Sequence, residues 1–147
     1  MKIDYLSQNW DNPKLMAERM KKVKVLSWIS SSKKDLKEFP VDVRKEMGHA
    51  LYIAQEGGKH KSAKPLKGFG GAAVLEVVQY DGNGTYRTMY TVQFKEIVYV
   101  LHAFQKKSKT GIKTTKQDMD LLEKRLQLAQ QKYKTWLITK SDEQGDD

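Results

Sequence analysis

The chain has 147 residues, no cysteine and a formal net charge of +9, from 27 Lys+Arg against 18 Asp+Glu. That length predicts one compact domain, and a hydrophobic content of 39% supports a real core. Disulfides, cysteine-based zinc sites and thiol nucleophiles are excluded outright. No apolar run approaches a membrane span and the first ten residues are no signal peptide, so a cytoplasmic protein away from membranes is expected.

Residues 1–22 read as a peripheral extension, with Asn12-Pro13 starting a short helix from Lys14 to Lys22. Residues 23–140 read as the domain. Lys24–Ile29 is β-prone. Ser30-Ser31-Ser32 caps a helical stretch carrying Leu36 and Phe39, which Pro40 stops. A second helix shows an apolar stripe at Val43, Met47, Ala50, Leu51 and Ala54, and Gly57-Gly58 ends it. A basic loop with Lys59, His60, Lys61, Lys64 and Lys67 leads to Gly68-Phe69-Gly70-Gly71. Three strands follow: Ala73–Tyr80, Thr85–Phe94 and Ile97–Phe104. Asp81-Gly82-Asn83-Gly84 signals a hairpin between the first two. A second basic cluster holds Lys106, Lys107, Lys109, Lys113 and Lys116. Thr114-Thr115 then caps a long helix with Met119, Leu122, Leu126 and Ala129 inward. Ser141–Asp147 is acidic and reads as a disordered tail. The order β-α-α-β-β-β-α predicts an α+β fold, helices packed on one face of a small antiparallel sheet.

Each of the three strands has one clean apolar set and one set broken by a single polar residue: Glu76, Arg87 and His102. With the clean sets on the core face, the three interruptions share an open face flanked by both lysine clusters. That suits a polyanion, nucleic acid above all. It also suits metal-free RNA cleavage at the 2′-hydroxyl. Glu76 or His102 would move the proton, Arg87 and a lysine would hold the developing charge, and Phe104 would stack on a base. The bland alternatives are a Glu76–Arg87 salt bridge, a core-satisfied His102 and a merely exposed His49. His60, among lysines, is a candidate phosphate contact. The histidine spacing gives no zinc signature, and no metal or cofactor is implied.

Four segments carry a family resemblance: Lys64-Pro-Leu-Lys-Gly-Phe-Gly-Gly71, Val74-Leu-Glu-Val-Val78, Thr85-Tyr-Arg-Thr-Met-Tyr90 and Val98-Tyr-Val-Leu-His-Ala-Phe-Gln-Lys-Lys-Ser-Lys109. In order and spacing they resemble the phage-derived HigB-like branch of the RelE toxin superfamily, over roughly Val23 to Gln131. The resemblance implies a microbial-ribonuclease-like fold. It implies the toxin of a type II toxin–antitoxin pair that cleaves mRNA in the ribosome. The implied partner is a helix-turn-helix antitoxin, and operator DNA is reached only through that complex. By position, Arg87 corresponds to the arginine on the scissile phosphate and Lys106 to a basic catalytic residue. Glu76 stands where some relatives have lysine, and Lys64 and Lys67 correspond to residues holding RNA backbone. The chain departs from many relatives in having Val77-Val78 in place of a strand arginine, and the C-terminal catalytic tyrosine of some members has no counterpart because a long helix occupies that region. The competing expectation is a non-catalytic nucleic-acid-binding or regulatory partner of the antitoxin.

Overall fold

The structure is a computed structural model describing residues 12–15, 23–71, 73–82, 84–106 and 114–145. Strand β1 (Val25–Trp28) leads through helices α1 (Ser32–Lys37) and α2 (Val41–Gln55) to β2 (Ala63–Pro65). Then come β3 (Val74–Asp81), β4 (Gly84–Thr91), β5 (Ile97–Lys106) and helix α3 (Lys116–Gly145). The five strands form one sheet in the order β1-β5-β4-β3-β2. All pairings are antiparallel except β1 with β5. The architecture is α+β, as the element pattern predicts, with β2 as an added edge strand.

Asn12 begins a helical turn as anticipated, its side-chain oxygen accepting from the Leu15 N–H. Most of the predicted Lys14–Lys22 helix lies outside the described residues. The α2 stripe is wholly buried: Val43, Met47, Ala50, Leu51 and Ala54 pack on Leu75, Val77, Tyr86, Tyr90, Val98 and Val100. Burial of each large side chain there contributes about 1.5–3 kcal/mol. Phe39, at the end of α1, meets the Tyr86 ring edge-on at 5.0 Å. The hairpin forms where the glycines signal it, and Asp81 faces Gly84. Gly84 has φ +147, and a Cβ there would sit 3.0 Å from the Lys106 carbonyl oxygen, so the turn requires glycine.

Helix placement differs from the expectation of a single covered face. Both faces are covered. The second carries Val74, Met89, Ile97, Tyr99 and Leu101 under Leu122 and Ala129 of α3. The α2 stripe already fills one face of the sheet, and the opposite face is apolar enough to receive α3. The helix also continues through Ser141–Gly145, where composition predicted disorder. Lys140 helps hold its last turns, 3.5 Å from Glu96 and over the Trp136 ring.

Alternation in β5 is broken as well. Met89 faces His102 and Tyr90 faces Val100, so Leu101 is an extra residue in a bulge. Val98, Val100 and Ala103 therefore share the α2 side, while Ile97, Tyr99 and Leu101 point to α3. The expected set Ile97, Tyr99, Leu101 and Ala103 is thus split between faces.

Candidate active site

The bulge at Leu101 decides the site. It returns His102 to the face of Glu76 and Arg87, which unbroken alternation from Val98 and Val100 would deny it. One cross-strand row reads Lys64, Glu76, Met89, His102; the next reads Val78, Arg87, Phe104; a third brings Thr85 beside Lys106. Partners opposite one another in a sheet point to the same face, so all the polar interruptions converge as predicted. They meet at the end of the α3-covered face where that helix begins.

The face is not open. Arg87 is 5% exposed, and its Nη1 lies 2.9 Å from Glu76 Oε1, a carboxylate that is itself 14% exposed. The salt bridge anticipated between neighbouring strands is thus present and desolvated. Glu76 Oε2 also accepts from the Thr114 hydroxyl at 3.4 Å. Two neighbouring strands set the pair, and Thr114, just ahead of α3, closes on its carboxylate. Lys64, Lys67, Lys59 and Lys61 are exposed, with Lys64 on edge strand β2 beside Glu76. Lys106 is half-buried. Lys107 and Lys109 lie outside the described residues.

His102 Nε2 is 3.1 Å from Asp118 Oδ1 in the first turn of α3. Thr115 caps that turn, accepting from the Asp118 N–H at 3.2 Å while its hydroxyl donates to Asp118 Oδ2 at 2.7 Å. Burial holds His102 below its ordinary value of 6.5, against the pull of Asp118, so the ring is neutral at pH 7. Burial would raise Asp118, but the Thr115 hydroxyl and His102 outweigh it and hold the carboxyl below its usual value. Phe104 stacks on the imidazole, centroids 4.6 Å apart and planes 29° apart. One face of its ring is therefore spent on His102 rather than offered to a base.

A match to the family described as phage derived protein Gp49-like (DUF891) covers residues 34–127 of the chain. The chain belongs to this Gp49-like family. Among solved structures it is similar to an arginine-substituted mutant of the E. coli toxin RelE in the free state. There the identity is 18% and the TM-score 0.45, over 56% of this chain and 83% of that one. It is also similar to the toxin–antitoxin complex RelBE2 from Mycobacterium tuberculosis. In that case the identity is 17% and the TM-score 0.40, over 58% of this chain and 94% of that one. No curated protein matches it.

His60 of this Gp49-like chain is buried rather than presented to solvent beside the lysines. It is 3% exposed, and both ring nitrogens are used. Nδ1 accepts from the Ser62 N–H at 3.0 Å, and Nε2 faces Glu46 Oε1 at 2.6 Å. His49, exposed as anticipated, joins them, so Glu46, His49 and His60 offer three donor atoms within 4.8 Å of one another. The sequence reading missed this grouping because His60 is brought in only by the turn after α2. Since Nδ1 is an acceptor, the ring proton sits on Nε2 against Glu46; a metal at Nε2 would require an imidazolate. As built, the group is a histidine–carboxylate hydrogen bond that ties the basic loop to α2.

Asp118, Thr115 and Thr114 were also missed as site residues. A signal for two of them existed: Thr115 and Asp118 stand three apart at a helix start, the spacing of a capping box. Nothing in the sequence says that such a cap also reaches His102.

Proposed function

We propose that this Gp49-like protein is the toxin of a type II toxin–antitoxin pair, a cytoplasmic, ribosome-dependent mRNA endonuclease of the RelE superfamily, HigB-like branch. Residues 23–140 form its catalytic domain. The observation that carries the reading is the convergence of Arg87, His102 and Glu76 on adjacent strands, with Lys64 in the row of Glu76 and His102 and Lys106 in the row beyond Arg87. Family membership and the four sequence segments support it. RNA cleavage at its own 2′-hydroxyl needs a base for that proton and cations for the phosphate. Neutral His102 is suited to the first task, Arg87 with Lys106 to the second. Exposed Lys59, Lys61, Lys64 and Lys67 would hold the RNA backbone, and their contribution falls as salt rises. No step requires a metal. The partner is a helix-turn-helix antitoxin, through which alone operator DNA is engaged.

One observation favours a second reading. A guanidinium locked to Glu76 and shielded from water is poor at meeting phosphate unless the carboxylate yields, which fits a non-catalytic, regulatory relative. Translating ribosomes incubated with the purified protein separate the two. New mRNA 5′ ends by primer extension, absent with Arg87→Gln/Glu76→Gln, support the endonuclease. RNA binding without new ends supports the regulator.

A further inference from the structure

We propose that Asp118 is the positioning residue of this site: it fixes His102 as the Nε2–H tautomer and so makes Nδ1 the ring's basic atom. The use of Nδ1 in proton transfer rests on the cleavage reading above. The tautomer does not.

An ionised carboxylate has acceptors only, so the nitrogen 3.1 Å from Asp118 Oδ1 must carry the proton. The lone pair is then on Nδ1. Two further contacts keep the pair from rearranging. Thr115 donates to the other Asp118 oxygen, and Phe104 fixes the plane of the imidazole by stacking. The carboxylate comes from the first turn of α3 and the ring from the residue after the β5 bulge. Two elements that pack for apolar reasons thus bring the dyad together.

Nδ1 is buried and has no hydrogen-bond partner among the described residues. A buried acceptor without a donor is destabilising. An O–H donor entering from the ligand removes that penalty, and the hydroxyl of a ribose has the right chemistry. The charged groups around the ring are Asp118 and Arg125 of α3 and Asp35 of α1. Arg125 opposes the cationic ring and the two carboxylates favour it. Lys106 acts on Asp118, and Glu76 with Arg87 occupies the adjoining strands. Burial outweighs the carboxylates, which keeps the ring in its basic, neutral form.

Asp118→Ala preserves the helix cap, because Thr115 accepts from the backbone N–H of residue 118. Asp118→Asn preserves an acceptor for Nε2–H without the charge. Proton NMR of the free protein above the His102 pKa should show a protected His102 Nε2–H resonance. It should persist in Asp118→Asn and vanish in Asp118→Ala. In both variants the His102 titration should move to lower pH, by about one unit. Persistence of the resonance in Asp118→Ala, or a proton on Nδ1 in the unaltered protein, overturns the assignment. For RNA cleavage, the rising limb of the pH profile should shift downward with the NMR titration. An unshifted limb overturns the role of Nδ1 as base. A protein that passes the NMR test and cuts no RNA sinks the endonuclease reading and leaves the positioning of His102 standing.

Discussion

Arg87→Ala is the obvious test of the site, and the structure says what else it would do. Arg87 and Glu76 form a 2.9 Å pair between side chains 6% and 14% exposed. Removing one partner of a buried pair strands the other charge, at about 3–5 kcal/mol. Whole domains have about 5–15 kcal/mol of stability. At about 2–4 °C per kcal/mol for a chain of this size, the melting point should fall by about 6–20 °C. Loss of the proposed activity in that variant would therefore mix lost chemistry with lost protein. Arg87→Met combined with Glu76→Leu removes both charges at similar volume and should recover most of the loss. Urea unfolding of the two single variants and the double, read as midpoints at constant m-value, gives the coupling energy. A single-variant loss below about 1 kcal/mol with coupling near zero would mean a solvated guanidinium, and the burial argument would be wrong.

Two further outcomes follow from packing and charge. Leu122, 0% exposed, anchors α3 on the second sheet face, so Leu122→Ala should cost about 2–5 kcal/mol in urea unfolding; a change under about 1 would mean α3 docks elsewhere. The hydrogen bond from His60 holds the Glu46 carboxyl below 4.5 in the folded protein, though burial opposes it. A depressed acid adds stability above its unfolded value and loses it as pH falls through the folded value. Glu46→Gln keeps the acceptor for Nε2–H and should flatten the fall in urea midpoint below about pH 4.5. An unchanged acid limb would show that the bond contributes no linkage.

The parts of this fold that local rules govern were readable. The α2 stripe, the hairpin glycines and the Thr115 cap each follow from residues within one element. The misreadings arise where one element must choose among others. The stripe on α3 announces an apolar face but not which side of the sheet receives it. β2 is three residues long, includes Pro65 and sits among lysines, so no strand pattern marks it. The extra residue at Leu101 leaves no trace in a run of apolar side chains, yet it resets parity for everything after it. Glu76, Arg87 and His102 were found together because each is a lone polar residue on an apolar strand. Their partners Thr114 and Asp118 belong to another element, and His60 was misplaced because its partner, Glu46, lies 14 residues away on α2.

Under the proposed function, the Glu76–Arg87 pair would make phosphate binding at this site an exchange rather than an addition. A phosphate reaching Arg87 Nη1 competes with a carboxylate already at hydrogen-bond distance, so its net gain there is the difference between two charge-assisted contacts. Glu76→Gln removes the competitor. Without ligand the variant should melt lower than the unaltered protein, because the buried guanidinium has lost its carboxylate. With a non-cleavable 2′-O-methyl RNA oligonucleotide at fixed low salt, it should regain more than the unaltered protein does. Ligand binding stabilises by about 2.7 kcal/mol at 100-fold over Kd, so even a tenfold tightening registers as more than 1 kcal/mol. Equal stabilisation of both proteins by the oligonucleotide would mean that RNA never reaches Arg87. The exposed lysines around Lys64 would then account for binding, and the cationic half of the catalytic assignment would have to move to Lys106.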